Sequence, residues 1–145
     1  MKINFIEDKI IFSLPKKLFM ESSKNNGIII LHREDFLKLW KNEPNPINKE
    51  LNEGNPEIWK KDSKYKEAER GFSYGYKNPV PLGKIVINKN KENNILYAAL
   101  DDGITRTIFL LSNNIIYIPF QIVEINVSIK ELETYLNNEI FFLNY

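Results

Sequence analysis

Apolar and polar positions alternate or cluster in short stretches, and these divide the chain into elements. Lys2–Ile6 and Lys9–Leu14 flank Glu7-Asp8 and read as a hairpin. Pro15 ends the second stretch, and the polar run Lys16–Asn26 reads as irregular. Gly27-Ile28-Ile29-Ile30-Leu31 is a β-branched run behind a breaker, the pattern of a buried strand. In Glu34–Lys41, Phe36, Leu39 and Trp40 fall on one helical face, and Pro44 and Pro46 close that helix. Residues 43–57 are dense in turn formers and read as a loop. Asn55-Pro56 has the form of a helix start, with Asn as cap and Pro at the first position. Glu57–Arg70 then reads as one broken helix or two short ones, with Gly71 as its C-terminal stop.

The second half is more regular. Phe72–Pro81 is extended or looped, Gly83–Ile87 is a strand, and Asn88–Asn94 is a polar turn. Ile95–Leu100 is apolar enough for the centre of a sheet. Asp101-Asp102-Gly103 breaks it, and Ile104–Ser112 reads as a helix with Ile104, Ile108 and Leu111 on one face. Asn113-Asn114 ends that helix, and Ile115–Ile125 is one strand, or two broken at Pro119. Ser128-Ile129-Lys130-Glu131 is a capping box opening a helix through Asn137. These elements predict a mixed α/β (α+β) single domain over 1–145, with a small mixed sheet flanked by helices.

Composition narrows the chemistry. With 145 residues, 43% hydrophobic and 12% aromatic, the chain can fill one core, which excludes wholesale disorder. No apolar run approaches 18 residues, and Met1–Asp8 lacks the form of a signal peptide, so the expectation is a soluble cytoplasmic protein away from the membrane. The absence of cysteine excludes disulfides, a thiol nucleophile and Cys-ligated metal. Twenty Lys+Arg against 19 Asp+Glu disfavours a protein that coats nucleic acid. The skew to 21 Ile, 19 Asn and 17 Lys looks like an AT-rich coding sequence, and it makes the three arginines stand out.

Catalytic sets are scarce. His32 is the lone histidine and reads as a helix-flanking polar residue. There is no Walker loop and no dinucleotide glycine fingerprint. No catalytic residue, metal site or cofactor is therefore expected. One arrangement stands out: Asp101, Asp102, Gly103, Thr105, Arg106 and Thr107, running from a strand into a helix. A glycine permits a tight turn, the free amides of a first helical turn attract anions, and an arginine adds a bidentate clamp. The plainer reading pairs Arg106 with Asp101 or Asp102 and pins the junction. A second group, Trp59, Tyr65, Tyr74 and Tyr76, lies among Lys60, Lys61, Lys64, Lys66 and Lys77, but Glu57, Asp62, Glu67 and Glu69 offset that charge. This suits a protein interface better than a nucleic-acid groove, unless the aromatics face the core.

A strand, Gly-x-x-Arg opening a helix, and a strand carrying Ile118-Pro119 resemble the ParB/sulfiredoxin-like pattern, in which that turn holds nucleotide or phosphate. More specifically, Gly71-Phe72, Asn78-Pro79-Val80-Pro81-Leu82, Asp102–Leu111 and Ile118-Pro119-Phe120 resemble the plasmid fertility inhibition factor family. Asp35-Phe36 with Leu39-Trp40 fits that family's early helix, and the likeness spans roughly residues 28–123. The resemblance implies a histidine before the arginine in members with nucleotide chemistry. Thr105 stands there instead. The reading is therefore a small inhibitory protein that acts by binding a protein partner. Its first form is an immunity protein neutralising a toxin of contact-dependent or related competition. The alternative is a fertility-inhibition factor that blocks conjugative transfer, with nucleotide- or DNA-directed activity as a further option.

Overall fold

In the computed structural model, which describes residues 1–145, two mixed sheets share one hydrophobic core. The strands are β1 (Lys2–Ile6), β2 (Lys9–Leu14), β3 (Leu18–Ser23), β4 (Ile28–His32), β5 (Val80–Pro81), β6 (Gly83–Lys89), β7 (Leu96–Asp102), β8 (Tyr117–Ile125) and β9 (Phe141–Leu143). The helices are α1 (Arg33–Lys41), α2 (Lys49–Asn52), α3 (Pro56–Lys60), α4 (Tyr65–Ser73), α5 (Ile104–Ser112) and α6 (Ile129–Tyr135).

The first sheet has the order β1-β2-β3-β5. Its opening hairpin forms as expected, around the two-residue loop Glu7-Asp8. The expectation of irregular chain over Lys16–Asn26 is corrected by β3, which pairs antiparallel with β2 from Leu14↔Leu18 to Lys9↔Ser23. Leu18, Met20 and Ser22 are buried while the residues between them are more exposed. Half of that strand is polar, so its period of two is faint in the sequence.

The second sheet has the order β7-β6-β8-β4-β9. In β4, which lies inside the sheet between β8 and β9, Ile28 to Leu31 are all buried, so both faces of the strand are covered. Strand β8 runs unbroken through Pro119, and its ladder to β6 begins one residue later, at Gly83↔Phe120. The short strand β9 has no counterpart in the sequence reading; it pairs with β4 from Ile28↔Leu143 to Ile30↔Phe141.

His32 caps α1: its Nδ1 accepts from the Glu34 N–H at 3.1 Å, the helix-flanking role expected for it. Loop 43–57 contains the single-turn helix α2, capped by Asn48. The two-helix reading of Glu57–Arg70 holds, as α3 and α4. Gly71 is not a stop, however. Phe72 stacks on Phe109 at 5.0 Å between ring centroids, and this packing carries α4 past the glycine to Ser73. Helix α6 ends at Tyr135 rather than Asn137, because buried Asp35 takes the N–H groups of Asn137 and Asn138 at 3.0 and 2.9 Å. Arg33 donates to the Leu111 carbonyl at 2.9 Å, satisfying the C-terminal end of α5. The far end of that helix carries the site.

Candidate functional site

Strand β7 enters its final turn through a bulge. Lys84 pairs with Asp102 and Ile85 with Leu100, which leaves Asp101 as the extra residue. Both aspartates are exposed. Gly103 follows with φ +90°, a left-handed conformation that side chains disfavour. It also lies against Gly83 of β6, and a Cβ added at Gly103 would stand 2.7 Å from Gly83 Cα. Two glycines therefore set how closely the turn approaches the sheet.

Helix α5 starts immediately after. No side chain caps it, so N–H groups of its first turn remain open. Thr107 is buried, and its Oγ1 donates to the Gly103 carbonyl at 2.8 Å. It is a brace for the turn and not a ligand-facing hydroxyl, which corrects its place among the binding candidates. Arg106 donates from Nη2 to Asp102 Oδ2 at 3.2 Å and to the Leu82 carbonyl at 3.4 Å. Its Nε is buried without a partner. The arginine thus ties the strand end to the first turn of α5. With Arg106 24% and Asp102 57% exposed, that ion pair contributes about 0.2–1 kcal/mol.

The junction forms one wall of a cleft of about 790 Å³. Asp101, Asp102, Gly103, Thr105 and Arg106 all line it, with Ile104 between them. The facing wall comes from Glu67, Ala68 and Gly71 of α4, from Tyr74, and from Asn78–Pro81. Ile47 and Leu51 close one end. Four acids line the cleft (Asp62, Glu67, Asp101, Asp102) against two bases (Lys64, Arg106), so its charge does not favour a polyanion.

The aromatic candidates separate. Tyr74 lines the cleft and is 58% exposed. Tyr76 is also exposed, but it lies outside the cleft with its ring edge-on to Phe19 at 5.6 Å. Tyr65 is half-buried, tilted against Phe109 at 5.5 Å. Trp59 is fully buried, and its Nε1 donates to the Leu51 carbonyl at 2.8 Å. As an interface residue it is corrected: the indole fills the core beneath the 43–57 loop and offers no surface. The sequence reading missed Ile47, Leu51 and Glu67 as cleft residues, because nothing local ties them to a turn some 35 or more residues away.

Three of the segments that carried the family resemblance meet here, while Asp35-Phe36, Leu39-Trp40 and Ile118–Phe120 lie away from the cleft. Gly71 and Asn78–Pro81 stand on one wall, and Asp102–Arg106, later in the chain, on the other. The family model for plasmid fertility inhibition factor matches residues 28–135, from the first residue of β4 to the last of α6. The chain belongs to the plasmid fertility inhibition factor family.

This match supports the fertility-inhibition reading of the sequence over the immunity reading. Among solved structures, the chain is similar to an oncogenic suppression activity protein, described as a plasmid fertility inhibition factor and crystallised as a gold(I) cyanide derivative. The similarity has a TM-score of 0.68 at 16% identity and covers 99% of this chain and 80% of that one, which establishes a shared fold. No curated protein matches the sequence. No helix here is long and apolar enough to cross a membrane.

Proposed function

We propose that this chain lowers the transfer of a conjugative plasmid by binding a protein of the transfer machinery through the cleft at the head of α5. The observation that carries the reading is the convergence of the family-like segments Gly71, Asn78–Pro81 and Asp102–Arg106 on that one cleft. Exposed Tyr74 is the anchor, since a tyrosine at a cleft rim gives a large contact area at little entropic loss. Arg106 shapes the wall through Asp102 and the Leu82 carbonyl. The protein acts by occupancy without turnover. Thr105 standing where catalytic relatives of the resembling superfamily carry histidine supports this, as does an arginine already engaged by a carboxylate. A photo-crosslinking residue at position 74, in donor cells, tests it: capture of a conjugation component supports the reading. Equal labelling from position 76 sinks it.

A second reading rests on a specific feature. The uncapped first turn of α5 beside Arg106 has the form of a phosphate site, so nucleotide- or DNA-directed activity is the alternative. Titration calorimetry with a nucleoside triphosphate separates the two. Tight binding that Arg106→Ala abolishes favours the alternative; no heat favours the protein binder.

A further inference from the structure

The two sheets have four edges, and three of them are blunted. Strand β5 is two residues long and contains Pro81, β9 has only three residues, and β7 is bulged at Asp101 and has its Leu96 carbonyl taken by the Asn42 amide of the α1 C-cap at 3.1 Å. Short, kinked or proline-bearing edges resist pairing with another chain. Strand β1 is different. It is five residues long, pairs with β2 in an unbroken register from Lys2↔Ser13 to Ile6↔Lys9, and contains no proline or bulge. Its outer side is unpaired, and residues 1–27 lie outside the family match.

The hairpin geometry fixes which groups are free. In a two-residue loop the flanking pair, Ile6 and Lys9, is hydrogen-bonded, and bonded pairs then alternate along the ladder. Asn4 and Lys2 therefore bond inward to β2, while the N–H and C=O groups of Ile3 and Phe5 point outward. Phe5 stands opposite fully buried Ile10, on the face that packs on the core, yet it is 55% exposed. Ile3 beside it is only partly buried.

We propose that β1 is a self-association edge, on which two copies of the chain pair antiparallel about a two-fold axis at Asn4. In that register Ile3 meets the second copy's Phe5, and the symmetric pair repeats it, so the four free backbone donors and acceptors on each strand are matched. The apolar pair covers both exposed phenyl rings. Lys2 lies opposite the second copy's Ile6 and diagonal to its Asp8, within reach of a long side chain, and no like charges oppose. Charge complementarity thus favours a second copy over an unrelated strand. One five-residue edge is short of what a permanent interface buries, so the dimer is weak and concentration-dependent. This inference is independent of the cleft.

The chain has no cysteine, which makes the test clean. Single variants Lys2→Cys, Asn4→Cys and Ile6→Cys of the full chain are oxidised, and disulfide dimers are followed over time. Only position 4 meets itself, at a Cα separation of about 4.5 Å that a disulfide spans. Asn4→Cys should crosslink an order of magnitude faster than the other two, and adding Phe5→Lys should abolish that preference. Sedimentation of the native chain should show a dimer that grows with concentration and is lost in Phe5→Lys. A native chain that stays monomeric into the millimolar range, or crosslinking without preference for position 4, overturns the proposal. Circular dichroism confirms that each exposed-strand variant remains folded.

Discussion

Gly103→Ala places a Cβ where the fold leaves no room for one. The carbon would stand 2.7 Å from Gly83 Cα and 3.0 Å from Arg106 Nη2, at a residue with φ +90°. The guanidinium can move aside, but Gly83 Cα belongs to the β6 backbone and cannot rotate away. A left-handed conformation costs a non-glycine residue about 1–2 kcal/mol. Forcing two packed segments apart adds about 1–3 kcal/mol, the range seen for overpacking. The sum, about 2–5 kcal/mol, is a large share of a small domain's stability. Gly75→Ala isolates the first contribution, because Gly75 has φ +64° with nothing within 4 Å of its added Cβ. It should lose only about 1–2 kcal/mol. Urea titrations of both variants, at unchanged m-value, measure the difference. If Gly103→Ala loses no more than Gly75→Ala, β6 yields freely and the glycine contact does not set the junction.

Three further perturbations probe the frame around the cleft. Trp59→Ala removes a fully buried indole and its bond to the Leu51 carbonyl, so denaturant melts should show a loss of about 3–5 kcal/mol; a loss near zero returns Trp59 to the surface. Asp35→Asn turns an amide donor toward the Asn137 or Asn138 N–H, with an expected loss of about 1–3 kcal/mol and weaker hydrogen-exchange protection from 136 to 143. Burial raises the Glu43 carboxyl above its ordinary range, partly offset by the Asn52 amide that donates to it at 3.0 Å. A raised folded value means stability that is full in acid and lost as pH rises through it. Glu43→Gln keeps the acceptor without the charge. It should therefore match or exceed the native chain at pH ~7 and lose that advantage below about pH 4, where unfolded glutamates protonate. A deficit of equal size at both pH values contradicts this.

The sequence was most legible where structure is local. Helix α5, with its breaker Gly103 and the Asn113-Asn114 end, reads directly, since apolar spacing and turn chemistry lie within a dozen residues. His32 beside the start of α1 and the α3 start at Asn55-Pro56 are equally local. What escaped is tertiary. Strand β3 exists because β2 and β5 pair with it, and β9 because β4 has a free edge; neither carries a strong pattern of its own. Trp59 shows the same limit: an aromatic among lysines reads as surface until a loop folds over it. One wall of the cleft was visible as Asp101–Arg106, whereas its facing wall depends on α4 and the 78–81 segment packing beside that junction.

A mating assay tests most directly the proposal that the cleft blocks plasmid transfer by engaging a partner. Donor cells expressing the native chain are compared with cells expressing Tyr74→Ala or Tyr76→Ala. Both replace an exposed tyrosine, and only Tyr74 lines the cleft. The expected result is that the native chain and Tyr76→Ala depress transfer, while Tyr74→Ala restores it at unchanged cellular abundance. Transfer that the native chain leaves untouched, or that Tyr74→Ala depresses as fully as the native chain does, contradicts the account.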